Sequence, residues 1–455
     1  MRSFLKTVVL LLLLPTVSIA KVHEYRLENG LKLIVKEDHR APIAVSQIWY
    51  KVGASYEPGG ITGVSHALEH MMFKGTDSLA PGEYSRIIAA NGGRENAFTG
   101  RDYTAYHQTM SADRLEVAFK LEADRMRNLT LSTDEFAKEI EVIKEERRLR
   151  TEDKPTSLTY EQLSAVAYRS LPYANPVIGW MADLENMTVE DLAQWYRLWY
   201  APNNAVLVVV GDVQFDQVLT LAKRYFGPLK PENIPVQKAR SEPRQRGVTR
   251  VTVRAPAREP YLIFGFKTPR IGTGDEDWEP YALEMLASVL DGGGSARFSR
   301  NLVRGREVAV SAGAGYSAFS RLPGMFLVDG TPAPGKDIAM LETALLDEIA
   351  KVKEVLVSEA ELERITTQVV AGKVYKLDSV FSQAMQIGRL ESMNMEWKLA
   401  DEYVGRIKQV TPEQVRAVAR KYLTNDNMTL AVLDPLALDN STGNNNKGGG
   451  HGRHQ

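Results

Sequence analysis

The chain contains no cysteine among its 455 residues. That absence excludes a disulfide framework, a thiolate zinc site, an iron–sulfur cluster and a cysteine nucleophile. Any bound metal must therefore be held by His, Asp or Glu, and histidine is itself scarce, at 7 residues. An excess of charge of either sign is also missing, since 56 Lys+Arg face 57 Asp+Glu. Without a strong positive field to neutralise phosphates, nucleic acid is not expected as a partner. Past the first twenty residues no apolar run is long enough to span a bilayer, so no stable membrane anchor is expected. What remains is ordinary globular composition, 44% hydrophobic and 25% charged, which excludes disorder of the whole chain and suits two or three domains.

The N-terminus reads as an export signal. Arg2 and Lys6 give a positive start, Val8 to Leu14 an apolar core, and Ser18-Ile19-Ala20 a small-x-small cleavage site. Residues 1–20 are thus expected to be removed, leaving a chain from Lys21 that acts in the periplasm if the source is Gram-negative, or is secreted otherwise. At the other end, residues 438–455, rich in Asn and Gly, are expected to form a disordered tail.

Between these ends the chain repeats itself. TVEDLAQWYRLWYAPNNAVL at 188–207 aligns without gaps on TPEQVRAVARKYLTNDNMTL at 411–430. Thr188 meets Thr411, Trp199 meets Tyr422 and Asn204 meets Asn427. Each copy has a Thr N-cap with an acidic first turn, an amphipathic helix, an Asn-containing turn and an apolar strand. A second match pairs His66-Ala67-Leu68-Glu69-His70-Met71 with Tyr281-Ala282-Leu283-Glu284-Met285-Leu286, so the copied helix has lost both histidines. The halves meet in a segment rich in Pro, Lys, Arg and Gln. The sequence therefore predicts a first domain at 21–230, a linker at 231–249 and a second domain at 250–437.

Strands are predicted at Leu31–Val35 and Ala44–Tyr50, and helices near 62–73, 81–91, 112–128, 133–152 and 188–200. The mixture lacks regular βαβ alternation, which predicts an α+β fold of two homologous domains, each a mostly antiparallel sheet packed with helices.

The chemistry concentrates at His66-Ala67-Leu68-Glu69-His70. Histidines at i and i+4 stand one above the other on a helix, so both imidazoles can reach one zinc ion. Glu69, one step before the second histidine, lies close enough to act as a base toward water there. A third ligand should come from the acidic helix at 139–148. Glu139 and Glu146 lie two turns apart on one stripe with Ile143 between them, so that stripe faces inward. A carboxylate on a buried stripe is costly unless paired or metal-bound. Glu146 is then the third ligand and Glu139 a residue that orients a histidine or helps move protons. Glu145 is the rival ligand, about 100° away around the helix. A Glu/Arg-rich run without the histidine motif reads only as a solvated helix face.

Gly63-Val64-Ser65-His66-Ala67-Leu68-Glu69-His70-Met71-Met72-Phe73-Lys74-Gly75-Thr76, followed by Glu139 and Glu146, resembles the pitrilysin/insulinase family of zinc peptidases, which includes the mitochondrial processing peptidases. The likeness extends over essentially 21–435. It implies paired homologous domains with zinc on the first only, and a chamber of four such domains that admits short or unfolded peptides. By the resemblance His66, His70 and Glu146 bind Zn2+, Glu69 is the general base, and Glu139 supports them. Asn96-Ala97-Phe98-Thr99 looks like the family's edge strand, which receives the substrate backbone, with Asn96, Ala97 and Phe98 as its expected substrate contacts. In one stretch the chain departs from the family, whose active members commonly present an Arg and a Tyr from the second half. Here Arg304 is present, displaced by about one residue, and Val310 stands where the Tyr is expected.

These readings lead to a zinc-dependent endopeptidase. The departure at Val310 suggests a catalytic subunit paired with a homologous chain that lacks zinc ligands, a homodimer being the other arrangement. The alternative is a non-catalytic structural or binding subunit of a related complex. Zinc binding without hydrolysis would leave Glu69 little use, and no serine-hydrolase elbow is evident.

Overall fold

The computed structural model describes residues 21–438. The expected export signal at 1–20 and, apart from Leu438, the expected tail at 438–455 lie outside the described residues. In the first half the strands are β1 (Val22–Arg26), β2 (Lys32–Glu37), β3 (Ile43–Tyr50), β4 (Arg94–Thr99), β5 (Thr104–Ser111) and β6 (Ala205–Gly211). The helices are α1 (Val64–Met71), α2 (Glu83–Ala90), α3 (Leu115–Arg127), α4 (Thr133–Arg147), α5 (Pro155–Ala167), α6 (Met181–Asn186), α7 (Val189–Trp199) and α8 (Phe215–Tyr225). The second half contributes strands β7 (Thr249–Pro256), β8 (Tyr261–Thr268), β9 (Ala309–Gly315), β10 (Gly324–Pro332) and β11 (Met428–Leu436). Its helices are α9 (Glu279–Asp291), α10 (Ile338–Glu354), α11 (Glu359–Lys376), α12 (Val380–Ser392), α13 (Leu399–Lys408) and α14 (Pro412–Tyr422).

The duplication is visible in the topology. The first sheet runs β1-β2-β6-β3-β5-β4 and the second β7-β11-β8-β10-β9, so that, β1 aside, the two orders correspond strand for strand. In each, one pair is parallel, β2 with β6 and β7 with β11, and the remaining pairs are antiparallel. The two repeated segments fold alike as well. Thr188 and Thr411 each close a capping box at the start of α7 and α14, satisfying amide groups that the first helical turn leaves free. The fold is therefore α+β, two mostly antiparallel sheets packed with helices.

Burial explains the sequence of the central strand. Every residue of β6, Ala-Val-Leu-Val-Val-Val-Gly, is buried, as expected of a strand covered on both faces. One face of the first sheet carries Leu33, Val35, Ile48, Tyr50, Leu207 and Val209 into a core shared with α1, α3 and α7. The opposite face, with Ile34, Val45, Trp49, Val206, Val208 and Val210, is covered by Ala384 and Ile387 of α12 from the second half. The exchange is reciprocal: α5 of the first half brings Leu163 and Ala167 against Ile263, Met325 and Ala431 of the second sheet. Each sheet thus borrows a helix from the other half, and the cleft between the halves is held by buried apolar area on both sides.

Residues 230–248, which join the halves, form no regular element, yet they are tied down. Glu242 accepts the amides of Arg169, Ser170 and Leu171 at 2.8–3.1 Å and the Lys267 ammonium at 3.1 Å. Among the described residues no helix is long and apolar enough to cross a membrane.

Candidate metal centre

Helix α1 starts where the chain passes very close to itself. Gly63 has φ +90°, and a Cβ there would lie 2.5 Å from the Ile178 carbonyl oxygen, so only glycine fits. The next amides are capped from a distance. The buried Glu57 carboxylate accepts from Gly63 N at 2.7 Å and Ser65 N at 2.8 Å. Trp195 Nε1 donates to Ser65 Oγ at 3.1 Å, which fixes the rotation of the helix about its axis. Val64, Ala67, Leu68 and Met71 are buried in the core, leaving His66, Glu69 and His70 to line a cavity of about 1010 Å³ between the halves.

Helix α4 supplies the carboxylates by the same division of faces. Phe136, Ile140 and Ile143 are buried. Glu146 lies against both histidines, with His70 Nε2 at 3.5 Å from Oε2 and His66 Nε2 at 3.9 Å from Oε1. Two turns nearer the helix start, Glu139 Oε2 is 3.2 Å from His70 Nδ1, and its other oxygen binds Lys74 Nζ at 2.6 Å. Glu145, the rival from sequence, is exposed and pairs with Arg148.

These donors fit a metal ion. Ligand atoms of His66, His70 and Glu146 all lie within 4.8 Å of one another, and a tetrahedral zinc with bonds near 2.0–2.1 Å needs donors roughly 3.3 Å apart. Glu139 accepts from His70 Nδ1–H, so the Nε2 lone pair is turned to the Glu146 carboxylate. An acceptor then faces an acceptor, an arrangement that calls for a cation between them. Burial, with the neighbouring His70 and Arg150, pushes His66 down to about 3, which keeps this imidazole neutral and able to ligate at neutral pH.

Glu69 sits beside this cluster, with Oε2 2.5 Å from Thr99 Oγ1. Burial raises its pKa above the usual carboxylate value, and a carboxyl with higher proton affinity is a better base near neutrality. Thr99 ends β4, which pairs with β5 on one side only and forms the sheet edge. Asn96, Ala97 and Phe98 of that strand line the same cavity. Sequence reasoning placed Thr99 on the edge strand without its bond to Glu69, and did not assign roles to Lys74 or Arg150, whose Nη1 is 2.5 Å from Glu146 Oε1. The i, i+4 spacing of Glu146 and Arg150 was the readable signal for the last of these.

Arg304 is not brought to this centre. It is exposed, is absent from the cavity lining, and donates to the Gly294 carbonyl. The displaced spacing around it has a structural cause: residues 299–303 form a π-helical turn, with Arg304 N bonded to Ser299 O at 3.2 Å, and such a turn absorbs one extra residue. Val310 lies half exposed on the edge strand β9. In the second half Tyr281 and Met285, which replace the two histidines, are buried in the core. Among the described residues, His66, His70 and Glu146 form the one grouping of potential ligands compact enough for a metal.

Comparison with known proteins agrees with this geometry. Residues 32–180 match the family model described as insulinase (peptidase family M16), and residues 186–369 match that of the peptidase M16 inactive domain. The zinc protease PqqE of Helicobacter pylori is 30% identical over 418 residues, spanning 90% of this chain and 92% of that protein. YmxG of Bacillus subtilis, named as an uncharacterized zinc protease, is 25% identical over 414 residues, spanning 91% and 98%. Among solved structures, a protease from Helicobacter pylori superposes with a TM-score of 0.86 at 29% identity, covering 92% of this chain and all of that one. Escherichia coli PqqL shares the fold at 18% identity and a TM-score of 0.76, and there this chain covers 92% of its own length but 49% of the other.

Proposed function

Because the chain belongs to the insulinase (M16) family of zinc peptidases, we propose that it is a zinc-dependent endopeptidase that cleaves short or unfolded peptides, with Glu69 as its general base. The observation that carries this reading is the convergence of His66, His70 and Glu146 on one point of a cavity that Glu69 also lines. Zinc held by those three side chains supplies Lewis acidity toward a peptide carbonyl and toward water. The remaining work falls to the chain itself. Glu69 takes a proton from the attacking water and delivers it to the leaving amine, while Thr99 holds its carboxylate in place. Glu139 keeps His70 in the tautomer that leaves Nε2 free. The unpaired edge of β4 offers backbone groups on which a peptide can be laid as an added strand.

A chain of two such domains would supply half of the four-domain chamber that the family resemblance implies, and its 49% coverage of PqqL is in keeping with that reading. With Arg304 turned to Gly294 and Val310 in place of a tyrosine, we infer that a homologous chain without zinc ligands completes the enzyme. A homodimer is the other arrangement. We infer from the export signal expected at residues 1–20 that the activity lies outside the cytoplasm. The non-catalytic alternative would need neither Glu69 nor its buried setting.

The test is hydrolysis of a mixture of unfolded peptides by zinc-loaded wild-type and Glu69→Gln chains, alone and with a homologous companion. Glu69→Gln is expected to keep one zinc per chain and lose about 100- to 10,000-fold in turnover. Equal hydrolysis by the two forms would overturn the assignment.

A further inference from the structure

Beyond the metal cluster, the cavity contains charged side chains whose partners can be traced one by one. Glu161 is committed to Arg147, with both guanidinium contacts at 2.9 Å. Arg150 is committed to Glu146. Arg101 differs from both. It follows the candidate substrate strand by two residues and lines the same cavity, but among the described residues it forms no ion pair with a carboxylate. Its surroundings are tyrosines: Nη2 donates to Tyr160 Oη at 3.1 Å, and the guanidinium lies over the Tyr173 ring at 5.0 Å.

A guanidinium carries five N–H donors in a rigid fork, and one of them is engaged here by a side-chain acceptor. The stacked Tyr173 and the bonded Tyr160 fix the plane of the fork, and Tyr173 is itself fixed by its hydroxyl at 2.5 Å from Asp102 Oδ2. Little conformational freedom is thus left to lose on binding. A cation so held, with donors unspent and no local counter-charge, is suited to a planar carboxylate, which it can grip with two parallel hydrogen bonds.

We propose that Arg101 forms a carboxylate-binding subsite, and that the peptides preferred by this chain carry a Glu, an Asp or a free C-terminus at the position beside it. This rests on the peptidase reading for its consequence, selection among substrates, although the subsite itself is a property of binding. It lies at the seam between the halves, since Tyr261 and Ile263 of β8 line the same cavity as Arg101. Substrate selection therefore depends on both halves although the metal ligands come from one.

The test uses a neutral host peptide of about nine residues in which each position in turn is Glu or Gln. Binding to the zinc-loaded Glu69→Gln chain is followed by fluorescence anisotropy, and hydrolysis by the wild type is followed in parallel. One position or a contiguous pair is expected to favour Glu over Gln by at least about tenfold. Arg101→Ala should bring that ratio close to one, and Arg101→Lys should retain part of it. A ratio unchanged in Arg101→Ala, or a loss shared equally by Glu and Gln peptides, overturns the subsite. Should Arg101→Ala fail to fold, Arg101→Gln, which retains a donor toward Tyr160, carries the same comparison. Failure of the peptidase reading looks different: the Glu preference appears in binding and vanishes in Arg101→Ala, while no peptide is cut.

Discussion

Gly388, in the middle of α12, tests whether the borrowed helix is seated as closely as the structure requires. A Cβ at this position would lie 2.0 Å from Trp49 Nε1 and 2.2 Å from Cε2. Ordinary contact begins at 3.4 Å, so Gly388→Ala must part the helix from the sheet by more than an ångström or push the indole aside. Trp49 has little room to move. It is fully buried, donates to Gln47 Oε1 at 3.0 Å, and meets Phe98 and Tyr103 edge-on at 5.3 and 5.1 Å. Overpacking of this kind costs about 1–3 kcal/mol, and disturbing a buried hydrogen bond adds about 1 kcal/mol. Against this stands a gain of about 1 kcal/mol in helix propensity. The balance is a destabilisation of roughly 2 kcal/mol, or about 4–8 °C in the first thermal transition of halves this size. Gly405 in α13 supplies the control, because nothing lies within 4 Å of a Cβ there. The same change at Gly405 should raise the melting temperature. Differential scanning calorimetry of the two variants decides the matter: a Gly388→Ala protein as stable as wild type, or more so, would show that α12 does not bear on Trp49 this closely. Since Phe98 lines the metal cavity and leans on Trp49, the variant should also bind peptides more weakly.

Three further outcomes are expected. Glu139→Gln removes the charged acceptor at His70 Nδ1 and should weaken zinc binding about 10- to 100-fold, read by competition with a chelator. Gly63→Ala combines an unfavourable φ with a collision at the Ile178 carbonyl, and should lower both stability and zinc content, whereas Gly82→Ala, also at positive φ but in open space, should lower stability alone. The third concerns acid. Asp38 is held down at about 2, against an ordinary 3.8, by its hydrogen bond to Arg40 with a further one from Gln383 of α12. A carboxyl depressed in the folded state contributes stability that is present above its unfolded pKa and is lost as pH falls through the folded one. The junction between α12 and the first sheet should therefore weaken between about pH 4 and 2, and Asp38→Asn should flatten that part of an acid-unfolding curve followed by tryptophan fluorescence.

The metal centre was readable from sequence because its logic is local. His66 and His70 share a face by helical spacing, and Glu139 and Glu146 share a stripe whose burial follows from Ile143 between them. The repeat was readable for a similar reason, since Thr188 and Thr411 cap equivalent helices with the same chemistry. Helix α5 was not anticipated, and the cause is visible in its inward face, where Thr159, Glu161 and Ser164 are buried beside Leu163 and Ala167. Glu161 can be buried only because Arg147 neutralises it, and that pairing depends on a turn of chain that no periodicity reveals. Arg101 was passed over likewise, because its meaning comes from what it lacks, a carboxylate partner, and an absence in space leaves no mark in sequence.

The two halves also show what duplication retains when a site is abandoned. At the position of Glu69 the second half keeps Glu284, whereas Tyr281 and Met285 replace the histidines and are buried among apolar neighbours. Glu284 is left with Oε2 buried and unbonded, and burial raises its pKa. An unpaired buried carboxyl costs stability unless it is protonated. Glu284→Gln, which is neutral at every pH, should therefore leave the fold intact and stabilise the second half relative to wild type at pH above the ordinary carboxylate value, where the raised pKa of Glu284 costs folding stability. Thermal unfolding of both forms from about pH 4 upward measures this. A melting difference that grows with pH agrees with an abandoned carboxyl, while a variant that is less stable throughout would mean that Glu284 has acquired a structural partner in its ionised form and that the second half has found its own use for the residue.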